Sequence, residues 1–370
     1  MLCDKIAARI KNRIYLSRGD IVNRLPFHMN LNEVEILKEL NTANHHIGEL
    51  KGILKILPNP GIVLSLINLS ESKDSSAIEN IITTYDEIFK EIVSKKPIGG
   101  KPKEVISYKH AMDHGLLVMR QKGFINTNML VEIQNVIEPN KGGIRKLPGT
   151  VIINDRTNEV LHTPPQNEAE IRELMHNLEL FINQNDENDP LIQMALIHFQ
   201  FESIHPFYDG NGRTARILNI LYLVLKEKLS EPILYLSKYI MENKEQYYTL
   251  LKKCNEDIAN VKDFVMYILK GISETSKNTI NLILRINQSI ELTKDMMKNR
   301  LPDIYRYEIV EHLFSHMYTK NEFFRESLDI SRATATKYLK LLEKEGFIVS
   351  EQLGKEVIYK NVQLLNLIKE

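Results

Sequence analysis

The stretch His205-Pro206-Phe207-Tyr208-Asp209-Gly210-Asn211-Gly212-Arg213-Thr214-Ala215-Arg216 constrains this chain more than any other segment. It joins two helical patterns. One ends near Ile204, and the next begins near Arg213 with Ile217, Leu221 and Leu225 on one apolar face. The fold must therefore set a tight turn against the N-terminus of a helix. Gly210-Asn211-Gly212 can take the positive φ angles of such a turn, and successive backbone N–H groups there converge into an anion-binding nest. The helix that follows adds unpaired N–H groups and the positive end of its dipole. Arg213 and Arg216 can both reach phosphate oxygens as charge-assisted donors. Asp209 is a hard oxygen ligand suited to Mg²⁺ bridging phosphates. His205, before the stiffening Pro206, is the nearby group whose ordinary pKa suits a general base at neutral pH. A glycine turn is often only a helix cap and a lone histidine is usually structural. His, Asp, two Gly and two Arg packed this closely point instead to one phosphate-handling site.

Composition sets the frame. At 370 residues, with 43% apolar and 26% charged positions, the chain can bury a sizeable core across two or three domains. Lys plus Arg and Asp plus Glu are both 48, so no global excess argues for nucleic acid or for an acidic solvating tail. Cys3 and Cys254 cannot build a disulfide framework and have no metal-ligand spacing; a reducing compartment is expected. The longest apolar run, 217–225, is broken by Asn219 and falls far short of the roughly 18 residues a membrane span needs. Residues 1–11 alternate charge with apolar side chains, unlike a signal peptide. The expectation is a soluble, cytoplasmic protein without membrane contact.

Most of the chain reads as helix: 31–57, stopped by Pro58-Asn59-Pro60, then 72–93, 105–136, 168–183, 190–201, 213–228 and 244–272, with a connector helix over 273–298. Residues 95–103 form a basic Gly/Pro connector. The period changes at 150–153 and 159–162, two β-prone runs around the polar turn 154–158, closed by Pro164-Pro165; this predicts a hairpin. Near the C-terminus, helix 321–328, a turn and helix 332–346 precede two strands at 347–350 and 357–359. Ala335, Tyr338, Leu339 and Leu342 face inward there, with Lys337, Lys340 and Lys344 outward. The expected architecture is mainly α, divided into 1–100, 101–272, 273–305 and 306–370, with no internal repeat.

HPFYDGNGRTAR resembles the signature of Fic-domain proteins, HPFx(D/E)GNGRxxR, at every defining position. The resemblance implies a Fic-type helical core with a hairpin flap and transfer of AMP from ATP to a Ser, Thr or Tyr hydroxyl of a target protein. It implies His205 as base, Asp209 holding Mg²⁺, Gly210, Asn211 and Gly212 as the anion hole, and Arg213 on the outer phosphates. Phe207 would be core, Tyr208 a surface aromatic, and Thr214, Ala215 and Arg216 part of the nucleotide site. Segment 237–240, Asn243 and Tyr247 resemble the part that lines the adenine. The flap 149–162 would register the target segment along a strand edge.

Ser75-Ser76-Ala77-Ile78-Glu79-Asn80 resembles a second Fic-associated pattern, (S/T)xxxE(G/N), here N-terminal to the core. It implies that Ser75, Glu79 and Asn80 belong to an inhibitory helix, with Glu79 pairing to Arg216 where the γ-phosphate should sit. The C-terminal pattern resembles a winged helix-turn-helix, with Ser331, Arg332, Thr334 and Lys337 heading a recognition helix. DNA binding through 321–360, protein docking and a homodimer all stay open. So do AMP removal at the same site, another nucleotide donor, and a nucleotide-sensing DNA-binding regulator. A complete His205/Asp209 pair argues against the last, because sensing needs phosphate donors but no base.

Overall fold

The computed structural model describes residues 19–57, 59–94, 99–153, 159–184 and 188–369. The N-terminal residues read for targeting, Cys3, part of the basic connector and the hairpin turn lie outside these. The fold is mainly helical and centres on two helices, Pro190–Ile204 and Asn211–Leu225, buried on nearly every side. A helix apolar all round must sit in the interior. Around this pair pack Lys101–Lys122, Thr127–Ile137, Glu168–Asn183, Pro60–Ile78, Val34–Ile53 and the long helix Val261–Arg300. Among the described residues no helix is long and apolar enough to cross a membrane.

Several helix boundaries differ from the sequence expectation, each for a local reason. The expected 105–136 helix breaks at Gly123, which takes φ 73° and caps Lys101–Lys122 through its N–H to the Met119 carbonyl. The expected 72–93 helix is two: Pro60–Ile78 and Tyr85–Val93, the second opened by Thr84 and Glu87 in a reciprocal capping box. Asn59 does not merely end the preceding helix. Its side chain accepts the Gly61 N–H and starts the next one. The break expected at 272–273 is absent, since Val261–Arg300 runs through it, and the interruption falls at 257–260. Gly271 lies inside this helix, and the Tyr239 ring and Leu236 side chain occupy the space where a Cβ would be, so the close packing needs glycine there.

The expected hairpin is present. Ile152–Ile153 pairs antiparallel with Val160–His162. The C-terminal region contains Tyr307–Ser315, Asn321–Leu328 and Arg332–Lys344 and a sheet of three strands where two were expected. Its order is Tyr318–Lys320, Glu356–Lys360, Val349–Leu353, all antiparallel. This sheet is latched to the Tyr85–Val93 helix. Asp86 accepts from the Tyr318 hydroxyl (2.6 Å) and Lys360 (2.8 Å), Lys320 donates to the Val93 carbonyl (2.9 Å), and Phe89 stacks on Tyr318 at 5.3 Å.

Candidate active site

The Pro190–Ile204 helix ends in a strained turn. His205 takes φ 47°, ψ 59°, and its N–H bonds the Phe201 carbonyl at 2.9 Å. Left-handed backbone is uncommon for a residue with a side chain and persists only where the surroundings impose it. Arg145 imposes it here. Its side chain is fully buried; Nε donates to the His205 carbonyl (2.8 Å), and its backbone N–H donates to the Pro206 carbonyl (2.9 Å). Phe207 is core, as expected, packed on Phe201. The Asn211 amide clamps the turn by accepting the Phe207 N–H and donating to the Phe207 carbonyl. Gly210, at φ 78°, is the helix N-cap, so the helix begins at Asn211, two residues before the expected Arg213. Thr214 and Ala215 are buried side chains, and Thr214 returns its hydroxyl to the Gly210 carbonyl.

Both arginines are already engaged by carboxylates of the chain. Arg213, 3% exposed, bonds Glu138 at 2.6 Å and lies 3.5 Å from Asp209; its Nε and Nη1 are buried without a hydrogen bond, and Nη1 is 3.8 Å from Glu104. Arg216 donates to the Ser75 hydroxyl (2.8 Å), the Ser75 carbonyl (2.9 Å) and Glu79 Oε1 (2.8 Å). Burial works against its charge, yet Glu79 holds the Arg216 pKa above its ordinary value. Glu79 stands just past the end of Pro60–Ile78 as its C-cap, not within the helix, and Asn80 at φ 61° turns the chain away. Any side chain at 212 would collide with Glu79 Oε1 and crowd Arg216. Gly212 is thus needed for close approach of the Glu79 carboxylate to the first turn of the helix. Of Gly210-Asn211-Gly212 only Gly210 takes positive φ, because Asn211 and Gly212 are already the first two residues of the helix.

His205 is 21% exposed, with Nδ1 3.8 Å from Glu202 Oε2. Burial, then the Arg145 charge, pushes its pKa down to about 4, so the ring is neutral at pH 7. Asp209 accepts the Gly210 N–H with one oxygen and meets Lys141 (2.5 Å) with the other; burial opposes its charge, but Lys141 and Gly210 hold it below the usual range. Lys141 is more than half exposed, so it can leave this oxygen to a cation, and the donor set fits Mg²⁺. Tyr247 is buried against Phe264 and Tyr267, with its hydroxyl on His198 (2.8 Å). In this structure it offers neither face nor hydroxyl to a purine. Asn243 bonds the Tyr239 carbonyl at the junction of two helices, beside Lys244, which reaches Asn80. Tyr208 is exposed but not idle, since its oxygen accepts the N–H groups of Lys146 and Leu147 and ties the loop to the flap's base.

Sequence reasoning missed Arg145, Glu138, Glu202 and Glu71. The signal for Glu71 was there: 71, 75 and 79 recur every four residues and share a face. Glu71 is buried, accepts from the Ser237 N–H (3.0 Å) and hydroxyl and from Tyr108 (3.2 Å), and burial raises its pKa to about 7. The flap is anchored by His162, which bonds Asp20 (3.1 Å) and the Ser203 carbonyl (2.8 Å).

Three family models match this chain: Fic/DOC family N-terminal over 37–117, Fic/DOC family over 124–223, and the C-terminal domain of protein adenylyltransferase SoFic-like over 290–364. The protein adenylyltransferase Fic of Drosophila mojavensis is 29% identical over 171 residues, which is 44% of this chain and 30% of the relative. That of Drosophila grimshawi is 34% identical over 106 residues, 28% of this chain and 20% of the relative. The chain thus spans less than a third of these curated relatives. A Fic family protein from Desulfovibrio desulfuricans G20 shares the fold at TM-score 0.58 and 18% identity, over 92% of this chain and 98% of that one. Fic-1 from C. elegans does so at TM-score 0.51 and 18% identity, over 68% of this chain and 74% of that one.

Proposed function

The chain belongs to the Fic/DOC family, and on that premise we propose that it is a protein adenylyltransferase that transfers AMP from ATP to a protein hydroxyl and is held in check by its own Glu79. The observation that carries this reading is the Glu79 carboxylate set against Gly212 in the first turn of the helix and bonded to Arg216. A carboxylate held by a buried arginine beside a helix N-terminus takes the place a phosphate would fill. ATP would lay its phosphates along the Asn211–Leu225 N-terminus, with Arg213 able to turn to them the two nitrogens that make no hydrogen bond. His205, neutral at pH 7, takes the proton of the attacking hydroxyl. The new O–P bond forms at the α-phosphorus, and the bond to pyrophosphate breaks with its electron pair leaving on pyrophosphate. Asp209 would hold Mg²⁺, which when bound neutralises phosphate charge. While Glu79 keeps Arg216, the γ-phosphate loses that partner, and ATP cannot settle in the pose that aligns its α-phosphorus.

The exposed flap strands, beside a groove lined by Ile21, Val151, Val160, Leu161 and Lys252, support docking of an extended target segment there. The C-terminal domain presents Arg332, Thr336, Lys340 and Lys355 to one cleft, which supports a second partner such as duplex DNA; a salt titration tests it. The activity itself is tested by incubating the full chain with Mg²⁺ and ATP labelled at the α- or the γ-phosphate. Label retained on protein from the α-position alone is the expected result; label from the γ-position would mean phosphate transfer and overturn the reading.

A further inference from the structure

A base whose pKa is pushed to about 4 is a weak proton acceptor, and the structure shows what stands behind it. Glu202 lies one turn before His205 on the same helix, 11% exposed. Its Oε1 is buried with no hydrogen-bond partner, and so is His205 Nδ1; Oε2 is 3.8 Å from that nitrogen. Oε2 thus lies just beyond bonding distance of an unsatisfied Nδ1, and Oε1 of the same carboxylate is itself buried without a partner, so a small rotation of either side chain would satisfy groups that are costly to leave unpaired. Catalytic hydrogen bonds are often long before substrate binds. The other charged or titratable groups around the pair are Arg216, Glu79, Arg145, His162 and Tyr247, and none of them bonds either atom; the Glu202 backbone carbonyl, near the His205 ring, is the one competing acceptor among the described residues.

We propose that Glu202 is the positioning residue of the base: its carboxylate accepts the Nδ1–H of His205 and so leaves Nε2 bare toward the target hydroxyl. This rests on the adenylyltransferase reading above. In the transfer step the hydroxyl proton goes to Nε2 and Nδ1 keeps its own. The imidazolium that forms is balanced by the Glu202 carboxylate at the moment the pyrophosphate bond breaks. The protonation state of Glu202 decides the tautomer. As a carboxylate it accepts from Nδ1–H. As a carboxylic acid it donates to Nδ1 and forces the hydrogen onto Nε2, where it blocks the base. Burial raises the Glu202 carboxyl to about 7, so the tautomer changes within the physiological range.

The test reads the tautomer and the activity separately. Full-length protein with ¹⁵N-labelled histidine is titrated from about pH 5 to 9, His205→Ala supplying the assignment. The expected result is a change from the Nε2–H to the Nδ1–H form with a midpoint near 7. Glu202→Gln should abolish the change, and Glu202→Asp should keep it with a shifted midpoint. AMP transfer from α-labelled ATP should rise through the same pH window. In Glu202→Gln it should lose that limb and fall by at least about tenfold in kcat, with KM for ATP within a few fold. A wild-type His205 that holds one tautomer across the range overturns the proposal, whether or not the variants fold. So does a Glu202→Gln variant that keeps both the change and the limb. A tautomer change without any AMP transfer supports the pair and refutes the enzyme reading.

Discussion

Replacing Glu79 by Gly should release the enzyme, and the structure sets the size of the effect. Arg216 is 2% exposed and Glu79 34% exposed, with 2.8 Å between them. Breaking a fully buried ion pair costs about 3–5 kcal/mol, whereas an exposed pair contributes under about 1 kcal/mol. With one partner one-third open to water, about 1.5–3 kcal/mol is reasonable, or roughly 10- to 100-fold at about 1.4 kcal/mol per decade. On the proposed reading that is an upper bound on the penalty ATP meets in claiming Arg216 from Glu79, since the γ-phosphate takes over as partner, and a gain of up to that size should appear in the rate of AMP incorporation. The fold should survive, because Arg216 keeps the Ser75 hydroxyl and carbonyl as acceptors. Glu79→Gln, which can still accept from Arg216 but carries no charge, should fall between wild type and Glu79→Gly. Adding Arg216→Ala should erase most of the gain. The assay is the initial rate of self-labelling or target labelling from α-labelled ATP at saturating Mg²⁺. A rate within twofold of wild type in a folded, ATP-binding Glu79→Gly protein would refute the reasoning.

Further outcomes follow from other parts of the structure. His205→Ala should lower AMP transfer by about 10²–10⁴ while isothermal titration finds ATP affinity within a few fold. Glu71 binds a proton more tightly in the fold, near 7, than in the unfolded chain, so its contribution to stability is present below about pH 4.5 and is lost as pH rises through about 7. Glu71→Gln removes that slope, and the melting temperature of the variant minus that of wild type should become more positive between pH 5 and 8. Asp86→Ala takes the shared acceptor from Tyr318, Lys360 and Lys90 and should loosen the C-terminal domain by about 1–2 kcal/mol, read as faster proteolysis within residues 302–370.

The loop was legible because its residues are contiguous: the proposed base, metal ligand, helix N-terminus and arginines follow one another in twelve residues, and a turn before a helix can arrange them in few ways. Glu79 was legible only through a second motif, since nothing local says that a residue 137 positions from Arg216 will bond it. Glycine shows where local reading stops. Gly123 ends a helix in a left-handed cap, whereas Gly271 stays inside one and serves close packing under Tyr239 and Leu236, which arrive from another helix. Arg145 carried no signal because its partners are backbone carbonyls, which any sequence supplies. The third C-terminal strand has only three residues and exists through its pairing with Glu356–Lys360. The sequence reading saw Tyr247 beside the site, but only packing shows that His198 already holds its hydroxyl.

The central claim is that this loop transfers AMP and that Glu79 restrains it. Intact-mass spectrometry of wild type, Glu79→Gly and Glu79→Gly with His205→Ala, each incubated with ATP and Mg²⁺, tests both halves at once. The account predicts a gain of one or more AMP units on hydroxyl side chains in Glu79→Gly, little in wild type, and none in the double variant. Addition of a phosphoryl group instead of AMP, or equal AMP addition with and without His205, would contradict it.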